Sequence, residues 1–242
     1  MKIISIIILV FIAVLNFRGQ QEAMFTHYNY TPLSFNAAYA GNKETTEVSI
    51  INRNQWVGFK GAPITQAINI DAPIKYRNIG IGLSVLNDKI GPLATTSVNF
   101  NFAYKFKITK KGIIALGLRG GGDLLKSSAN SLETIVANDP FLINNASSLL
   151  VPNFGAGIYF KQKNTFIGIG VPRLLTKEYD NSSGTILYTI EKHYYLTGGV
   201  HIKLRDKIIY MPTVLAKYTR GAPLEVELTN LFQFQFLEQR QF

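Results

Sequence analysis

The sequence contains no cysteine and a single tryptophan, Trp56, among its 242 residues. Without cysteine there is no disulfide scaffold, no thiolate metal site and no cysteine for an amino-terminal lipid. Histidine is scarce as well: the chain has only His27, His193 and His201, and the last two are eight positions apart on one predicted strand. At about 3.3 Å per residue, this separation is too large for the pair to share a metal ion.

The chain also lacks an apolar run long enough for a membrane-spanning helix, which needs about 20 residues. The run from Ile3 to Leu15 is interrupted by Ser5 and follows Lys2. This pattern is typical of a secretory signal peptide, although no Ala-x-Ala motif marks a cleavage site. We therefore predict a signal peptide at residues 1–19 and one domain at residues 20–242. Retention of the apolar run as an anchor is the alternative.

The sequence has few acidic residues. The 25 basic residues exceed the 15 acidic ones, and without Lys2 and Arg18 the balance is 23 to 15, a net charge of +8. Nucleic acid is not the expected partner, because the lysines are spread over turns and strand faces rather than gathered in one stripe with stacking aromatics. Anionic lipid headgroups or an acidic partner explain the charge better.

Motifs for catalysis or cofactor binding are sparse. The cluster from Gly117 to Gly122 lacks the spacing of a phosphate or dinucleotide loop, and we expect a glycine-lined strand end there. Serine and histidine are both present, so composition leaves open a barrel hydrolase with these residues on neighbouring strands. We expect no enzyme, no cofactor and no metal site.

What the chain has in abundance is alternation of apolar and polar residues. From Ser97 to Thr109, apolar residues such as Phe100 and Phe102 alternate with polar ones such as Asn101. These 13 residues exceed the usual soluble strand of about 5–6 and suffice for the about 9–11 that cross a bilayer. Ten such segments are predicted, at residues 46–56, 63–72, 78–87, 96–109, 112–122, 150–161, 164–172, 192–204, 207–218 and 223–236.

The face opposite the large apolar residues carries mainly glycine, serine, asparagine or lysine, as in Gly80–Val85 and Gly155–Phe160. In a membrane barrel, large apolar residues face lipid and small or polar residues face the lumen. A soluble β-sandwich alternates too, but it needs no export signal. The predicted fold is therefore all-β, a transmembrane antiparallel β-barrel of the outer membrane.

A series of short motifs follows the predicted signal peptide in a fixed order. They are Gln20-Gln21, Tyr28, Pro32, Asn36–Gly41, Arg53–Gly58, Gly61–Thr65 and Asn87–Gly91, continued by Asn138–Phe141. In order and spacing they resemble the PorP/SprF family of outer-membrane proteins of Bacteroidota. The resemblance implies an outer-membrane barrel of the type IX secretion and gliding system. It further implies that the chain binds secreted cargo through the cargo's carboxy-terminal sorting domain and associates with other components of that system.

The resemblance also marks residues that we expect to be structural or partner-binding. They are Asn36, Tyr39, Gly41, Arg53, Gln55, Trp56, Gly61, Pro63, Thr65, Asp88 and Gly91. The turn at Asn36–Gly41 is expected either to tuck into the lumen or to present a periplasmic contact. The stretch from Asp123 to Ser148 is expected to be an extracellular loop or partner surface, because it is too long for a turn.

Alternation also assigns faces around the tryptophan. Arg53 and Gln55 share the face opposite Trp56 and are expected to point into the lumen, where an arginine needs a carboxylate or carbonyl partner. Asp71 and Asp88 are the candidate carboxylates. Trp56 itself is expected at a membrane interface, with a binding hot spot as the alternative.

The chain departs from the family pattern in two places. Ala37 stands where proline is usual, which loosens a turn. Members typically continue for several more strands, whereas Glu238 and Arg240 interrupt the alternation near the end of this chain, so we expect a truncated barrel. The competing function is a general diffusion porin or small-solute transporter, which an open lumen would favour and a plugged lumen would oppose.

Overall fold

The computed structural model of the chain describes residues 28–43, 45–75, 78–127, 147–180 and 186–234. The predicted signal peptide, His27, the motif at 138–141 and the ending at 235–242 lie outside these residues. The described chain begins with a 3₁₀ turn at Tyr28–Tyr30, a short helix α1 at Pro32–Phe35 and a second 3₁₀ turn at Ala37–Tyr39. Among the described residues, no helix has the length and apolar character needed to cross a membrane.

The rest of the described chain is β-structure. The strands are β1 (Glu47–Asn54), β2 (Ile64–Ile74), β3 (Ile79–Ile90), β4 (Leu93–Thr109), β5 (Gly112–Ser127), β6 (Ser147–Gln162), β7 (Thr165–Val171), β8 (Lys177–Asp180), β9 (Ile186–Ile190), β10 (His193–Val200), β11 (Ile202–Arg205), β12 (Ile208–Thr219) and β13 (Glu225–Phe234). Eleven of them form one sheet. In this sheet β1 to β7 are neighbours in chain order, and β10, β12 and β13 follow β7. The short strand β11 comes directly after β10 in the chain and pairs with the same neighbour, β12. Strands β8 and β9 form a separate hairpin.

The pairing of neighbours in the main sheet is antiparallel throughout. One end of the sheet therefore carries the tight connections at residues 75–78, 110–111, 163–164 and 206–207; we call it the turn end. The opposite end carries the connections at residues 55–63, 91–92, 128–146, 172–192 and 220–224; we call it the loop end. Strand β1 begins at the turn end, and strand β13 finishes there.

The two faces of the sheet differ as their alternation predicts. On β4, Asn99 and Asn101 are buried on the inner face. Phe100 and Phe102 lie on the outer face, where 66% of the Phe100 surface is exposed. The register carries this parity from strand to strand, because Phe102 lies opposite Leu118 on β5, another exposed apolar residue. Antiparallel pairing keeps paired residues on one face, so a single apolar outer surface extends across the sheet.

The sheet curves around the amino-terminal residues 28–43, which we call the plug segment. Strands β2 to β7, β10 and β12 each contribute a residue that lies against this segment. The two edge strands approach each other at the loop end, since Arg53 on β1 lies close enough to Glu227 on β13 for their charges to interact. Within the described residues, β1 and β13 are not paired, so the sheet is not closed.

The predicted all-β fold is confirmed, and each of the ten predicted segments overlaps a strand of the main sheet. Some boundaries were wrong. The glycine cluster at 117–122 lies inside β5 rather than at a strand end, and the predicted loop from Asp123 to Ser148 begins and ends inside β5 and β6, with residues 128–146 outside the described residues. The hairpin of β8 and β9 was not predicted, because it interrupts what alternation indicated as a connection.

Candidate functional site

The plug segment has a compact local structure that its own sequence explains. Pro32 occupies the first turn of α1, where its missing N–H is not needed. Asn36 then caps the second 3₁₀ turn, because its side-chain Oδ1 accepts a hydrogen bond from the backbone N of Ala38 at 2.9 Å. The other side of the same amide donates from Nδ2 to the carbonyl of Ile158 on β6 at 3.1 Å. Asn36 therefore both shapes the plug segment and ties it to the wall.

Inward-facing glycines allow the plug segment to touch the wall with its backbone. A Cβ added at Gly80, Gly117, Gly157 or Gly170 would overlap atoms of the plug segment, and at Gly80 and Gly117 those atoms are backbone. Near the end of the plug segment, Gly41 is the residue that comes close to the wall. Its φ is +60°, and a Cβ there would lie 2.7 Å from Gly80 Cα. The left-handed backbone and the close approach together require glycine at this family-motif position.

Two cations anchor the plug segment through its carbonyl oxygens. Arg119 on β5 is 6% exposed, donates from Nε to Asn101 Oδ1 at 2.8 Å, from Nη1 to the Ser34 carbonyl at 2.6 Å and from Nη2 to the Leu33 carbonyl. Lys105 on β4 donates from Nζ to the Gly41 carbonyl. Because the last carbonyls of so short a helix have no partner within it, Arg119 satisfies acceptors that would otherwise be buried unpaired. Lys105 binds the segment at Gly41, after the second 3₁₀ turn.

Aromatic residues fill the space on either side of the plug segment. Phe35 stacks on Tyr195 of β10 with ring centres 5.5 Å apart, and Tyr28 meets Phe35 edge-on. The hydroxyl of Tyr28 shares a hydrogen bond of 3.0 Å with the hydroxyl of Thr213 on β12. Near the other end, Tyr39 packs edge-on against Tyr159. These contacts fix the plug segment to three strands, β6, β10 and β12.

The surroundings of the family-motif residue Tyr39 shift the pKa of its phenol. Burial raises the pKa of Tyr39 to about 12, and the negative charges of Glu47 and Asp71 act in the same direction. The phenol therefore stays protonated at neutral pH. Its role is packing and hydrogen bonding, not proton transfer.

The filled lumen leaves little free space beside the plug segment. One cavity of about 100 Å³ lies on its loop-end side, bordered by Tyr28, Phe35 and Arg119. A second cavity of about 50 Å³ lies between the segment, Tyr159 and Thr213. No group of His, Asp or Glu side chains suited to a metal ion occurs among the described residues.

A second group of family-motif residues meets at the loop end, where the connection between β1 and β2 lies against the turn between β3 and β4. Gly91 N donates to the Gly61 carbonyl at 2.9 Å, and Gln55 N donates to the Pro63 carbonyl at 3.0 Å. Thr65 Oγ1 donates to Asp88 Oδ1 at 2.5 Å. We call these residues, together with Arg53, the loop-end cluster.

The loop-end cluster includes one of the two carboxylates proposed for Arg53. The Arg53 side chain is half-buried on the inner face, as predicted. Asp88 lies in the same cross-strand row, because Arg53 pairs with Thr65 and Thr65 pairs with Asp88, whereas Asp71 lies towards the turn end, where β2 finishes. A third carboxylate was not predicted: the charge of Arg53 also acts on Glu227, on the opposite edge of the sheet. Alternation within one strand did not reveal that β13 lies beside β1.

Trp56 stands outside both groups. It has a left-handed backbone with φ 48°, and 71% of its surface is exposed in the loop between β1 and β2. Val57 and Phe59 are exposed beside it. This position at the end of β1 fits either of the two roles expected for Trp56, a membrane interface or a contact with a partner.

The structure thus brings the predicted site residues together in two places, not one. Asn36, Tyr39 and Gly41 belong to the plug segment, and all the others except the outlying Trp56 belong to the loop-end cluster. Sequence reasoning missed the wall residues that hold the plug segment, above all Arg119 and Lys105. Their signal was available: a cation at an inward position of an alternating strand needs a partner inside the lumen.

An antiparallel sheet with an apolar outer face, wrapped around a polar interior that contains its own amino-terminal segment, is the architecture of a β-barrel type of membrane protein. The family model for the type IX secretion system membrane protein PorP/SprF matches residues 17–239. The chain therefore belongs to the PorP/SprF family, as its motifs predicted. A comparison with curated proteins found no match.

Proposed function

We propose that this chain is an outer-membrane component of the type IX secretion system that binds secreted surface cargo and helps to export or anchor it. The partner is the cargo's carboxy-terminal sorting domain, and the chain works in association with other components of the system. Family membership supplies the system. The proposal also keeps residues 1–19 as the signal peptide that delivers the chain to the envelope.

The observation that carries the proposal is the filled lumen. Ala38 and Ala40 in the plug segment have no exposed surface, and the backbone of the segment touches the wall at Gly80 and Gly117. A diffusion porin needs a continuous aqueous channel, and the plug segment lies inside the lumen where such a channel would run. A plugged barrel suits a protein that binds a partner at its surface, so the porin alternative is the weaker one.

The outer face supports a lipid partner. Phe100, Leu118 and Leu228 are apolar, face outwards and are more than half exposed. An apolar surface of this extent is not stable in water. We assign the turn end to the periplasm and the loop end to the cell exterior, because outer-membrane barrels have short periplasmic turns and longer extracellular loops.

Deletion of the gene tests the proposal. We expect one or a few surface proteins that carry carboxy-terminal sorting domains to remain unsecreted or unanchored, while uptake of small solutes stays unchanged. The secreted proteome is compared by mass spectrometry, and permeability is measured with a small dye in the same strains. A changed permeability with an intact secreted proteome would replace the proposal with the porin alternative.

Fractionation tests the location separately. The mature chain should be found with the outer membrane and should require detergent for extraction, because its outer face is apolar. Recovery as a stable periplasmic protein without detergent would contradict the assignment. A pull-down from the detergent extract is expected to recover a protein that carries a sorting domain.

A further inference from the structure

Basic residues are concentrated in three neighbouring connections at the turn end of the sheet and in the strand ends beside them. Residues 107–111, 161–164 and 203–207 contain eight lysines and arginines and one acidic residue, Asp206. We call these eight basic residues the turn-end patch. The loop-end connections at residues 55–63, 91–92 and 220–224 contain two charged residues, Lys60 and Arg220. The excess of positive charge is therefore located at one end of the sheet.

The structure holds these three connections side by side. They join β4 to β5, β6 to β7 and β11 to β12, and these strands follow one another along the sheet, with β11 continuing β10. Lys163 N donates to the Lys111 carbonyl at 3.0 Å, and His201 N donates to the Asn164 carbonyl at 2.8 Å. These backbone hydrogen bonds tie the first connection to the second, and the second to the strand that leads into the third. The patch is thus one continuous rim.

Most of the positive charge on this rim is not neutralised within the described part of the chain. Asp206 pairs with Lys203, with Nζ 2.9 Å from Oδ1. Lys110, Lys111 and Lys163 are exposed in the turns and make no ion pair with any described residue. Like charges closer together than the Debye length of about 8 Å repel one another in physiological salt. An acidic ligand would relieve this repulsion.

Two lysines of the patch show which way the rim faces. Lys107 is paired with Ile113, and Ile113 is paired with Lys161, so one row of the inner face carries both lysines at the mouth of the lumen. The outer face at the same level is apolar, since Ile108 and Leu204 are each 53% exposed. Cations therefore line the turn-end opening, whereas lipid-facing positions beside them carry apolar side chains.

The backbone at Lys163 carries its charge at a conformational cost. Its φ is 52°, a left-handed conformation that lysine adopts less readily than glycine or asparagine. Asn78, in the turn before β3, has the same φ of 52° and is a residue of the favoured type. Asparagine would suit the backbone at residue 163 better, so turn formation alone does not account for the lysine.

We propose that the turn-end patch binds an acidic segment of a polypeptide partner on the periplasmic side of the membrane. The proposal rests on the proposed function, which assigns the turn end to the periplasm and supplies partners within the secretion system. Several Asp or Glu carboxylates in one segment would complement a rim of closely spaced cations. Anionic lipid headgroups are the competing ligand, but they meet a barrel at its outer face, where Ile108 and Leu204 are apolar.

Lysine labelling of the purified full chain in detergent tests the site residue by residue. The probe is an acetylated and amidated peptide of four Glu-Gly repeats, and its uncharged match has four Gln-Gly repeats. We expect the acidic peptide to slow the reductive methylation of Lys111 and Lys163 by at least about threefold, while Lys89 and Lys126 at the loop end react at unchanged rates. Equal slowing at both ends of the barrel, or slowing by neither peptide, would overturn the proposal.

Variants matched in charge locate the binding. Lys111→Gln/Lys163→Gln removes two exposed charges from the patch, and Lys89→Gln/Lys126→Gln removes two exposed charges from the loop end. The affinity for the acidic peptide, measured by fluorescence anisotropy at low salt, should fall at least about fivefold in the first variant and less than about twofold in the second. An equal loss in both variants would mean that only the net charge of the chain attracts the peptide, and it would overturn the site.

A third arm separates lipid from polypeptide. The full chain is reconstituted in vesicles of phosphatidylcholine, with or without phosphatidylglycerol, and is labelled in the absence of peptide. We expect Lys111 and Lys163 to react at equal rates in the two kinds of vesicle. Slower reaction in the anionic vesicles, together with no protection by the acidic peptide, would assign the patch to lipid headgroups and overturn the proposal.

Secretion distinguishes failure of this site from failure of the proposed function. Cells that carry Lys111→Gln/Lys163→Gln should secrete less of the cargo, although the variant reaches the outer membrane in wild-type amounts. Loss of cargo secretion on gene deletion, together with no protection of Lys111 and Lys163 by the acidic peptide, would overturn this site and leave the proposed function standing. Protection of both lysines with an unchanged secreted proteome on gene deletion would support the site and overturn the proposed function.

Discussion

In the turn-end half of the lumen the wall packs against the chain's own amino-terminal segment: Ala38 is fully buried, Gly117 touches it backbone to backbone, and Arg119 takes up two of its carbonyls. In the loop-end half, by contrast, a cavity lies between the plug segment and the wall, bordered by Arg119, Lys217 and Glu227. The plug segment fills the first half with close backbone contacts. The second half keeps open space among charged side chains.

Stability and recognition therefore occupy different halves of the lumen. Small residues and backbone contacts in the plug half leave no room for a ligand, so substitutions there should act on folding. Charged groups around open space at the loop end are the arrangement that binding sites commonly have.

The largest effect is expected from a side chain added at the plug wall. In Gly117→Val, the new Cβ meets the backbone of Ala37 and Ala38, which cannot move aside without displacing the plug segment. Overpacking of this kind typically costs about 1–3 kcal/mol, and contact with backbone places this variant above about 3 kcal/mol. The free energy of unfolding is measured by urea titration of the purified chain in detergent.

Gly120→Val is the matched control on the same strand. A Cβ at Gly120 meets no atom within 4 Å, because this residue faces outwards. Its urea midpoint should equal that of the wild type or exceed it. Equal midpoints for both variants would mean that the plug segment does not occupy the lumen in solution.

Removal of the main anchor should release the plug segment. Arg119→Met leaves the carbonyls of Leu33 and Ser34 and the amide of Asn101 without their donor. At about 1–3 kcal/mol for each unsatisfied buried group, partly offset by rearrangement, we expect a loss of about 3 kcal/mol. Conductance in planar bilayers should rise above the wild-type level as the lumen opens.

Arg119→Lys separates charge from geometry in the same assay. A lysine keeps the positive charge but lacks the fork that bonds two carbonyls at once. Conductance between those of the wild type and of Arg119→Met is the expected result. Wild-type conductance of the Arg119→Met variant would show that the plug segment is held by packing alone.

Alternation along single strands was sufficient to predict the strands and their two faces. The segment from Ser97 to Thr109 shows why: the parity of Phe100 and Asn101 is a local property that tertiary structure did not override. The boundaries failed where a strand continues without alternating cleanly, as at Asp123, which is buried in β5 rather than placed in a loop.

The candidate site was predictable only in part, because its contacts join distant parts of the chain. Asn36 bonds the carbonyl of Ile158, 122 positions away, and Arg119 bonds Ser34 at a separation of 85. Alternation with Leu118 could have assigned Arg119 to the inner face, but no local pattern indicates that Arg119 and Asn36 converge. The position of Glu227 beside Arg53 depends on the curvature of the whole sheet, which no single strand encodes.

A charge on the lipid face gives the third effect. Phe100→Arg places a cation where β4 faces the membrane, and such a substitution costs about 2–4 kcal/mol near the bilayer midplane. We expect a lower free energy of unfolding in lipid vesicles by about 2 kcal/mol, with Phe100→Leu as the control of unchanged polarity. The inward-facing Asn101 is not a suitable comparison, since it accepts a hydrogen bond from Arg119. Equal stability of the arginine and leucine variants would mean that the faces are reversed.

The smallest effect is expected in the loop-end cluster, where one hydroxyl group can be removed at constant volume. Thr65→Val removes the donor of the 2.5 Å hydrogen bond to the Asp88 side chain and should cost about 1.5 kcal/mol. Thr96→Val removes a 3.0 Å bond to the neutral amide of Asn87 between the next pair of strands, and should cost about half as much. Urea titration at neutral pH measures both. If Thr96→Val were the more damaging of the two, Asp88 would not depend on Thr65, and the loop-end cluster would be held by its backbone hydrogen bonds alone.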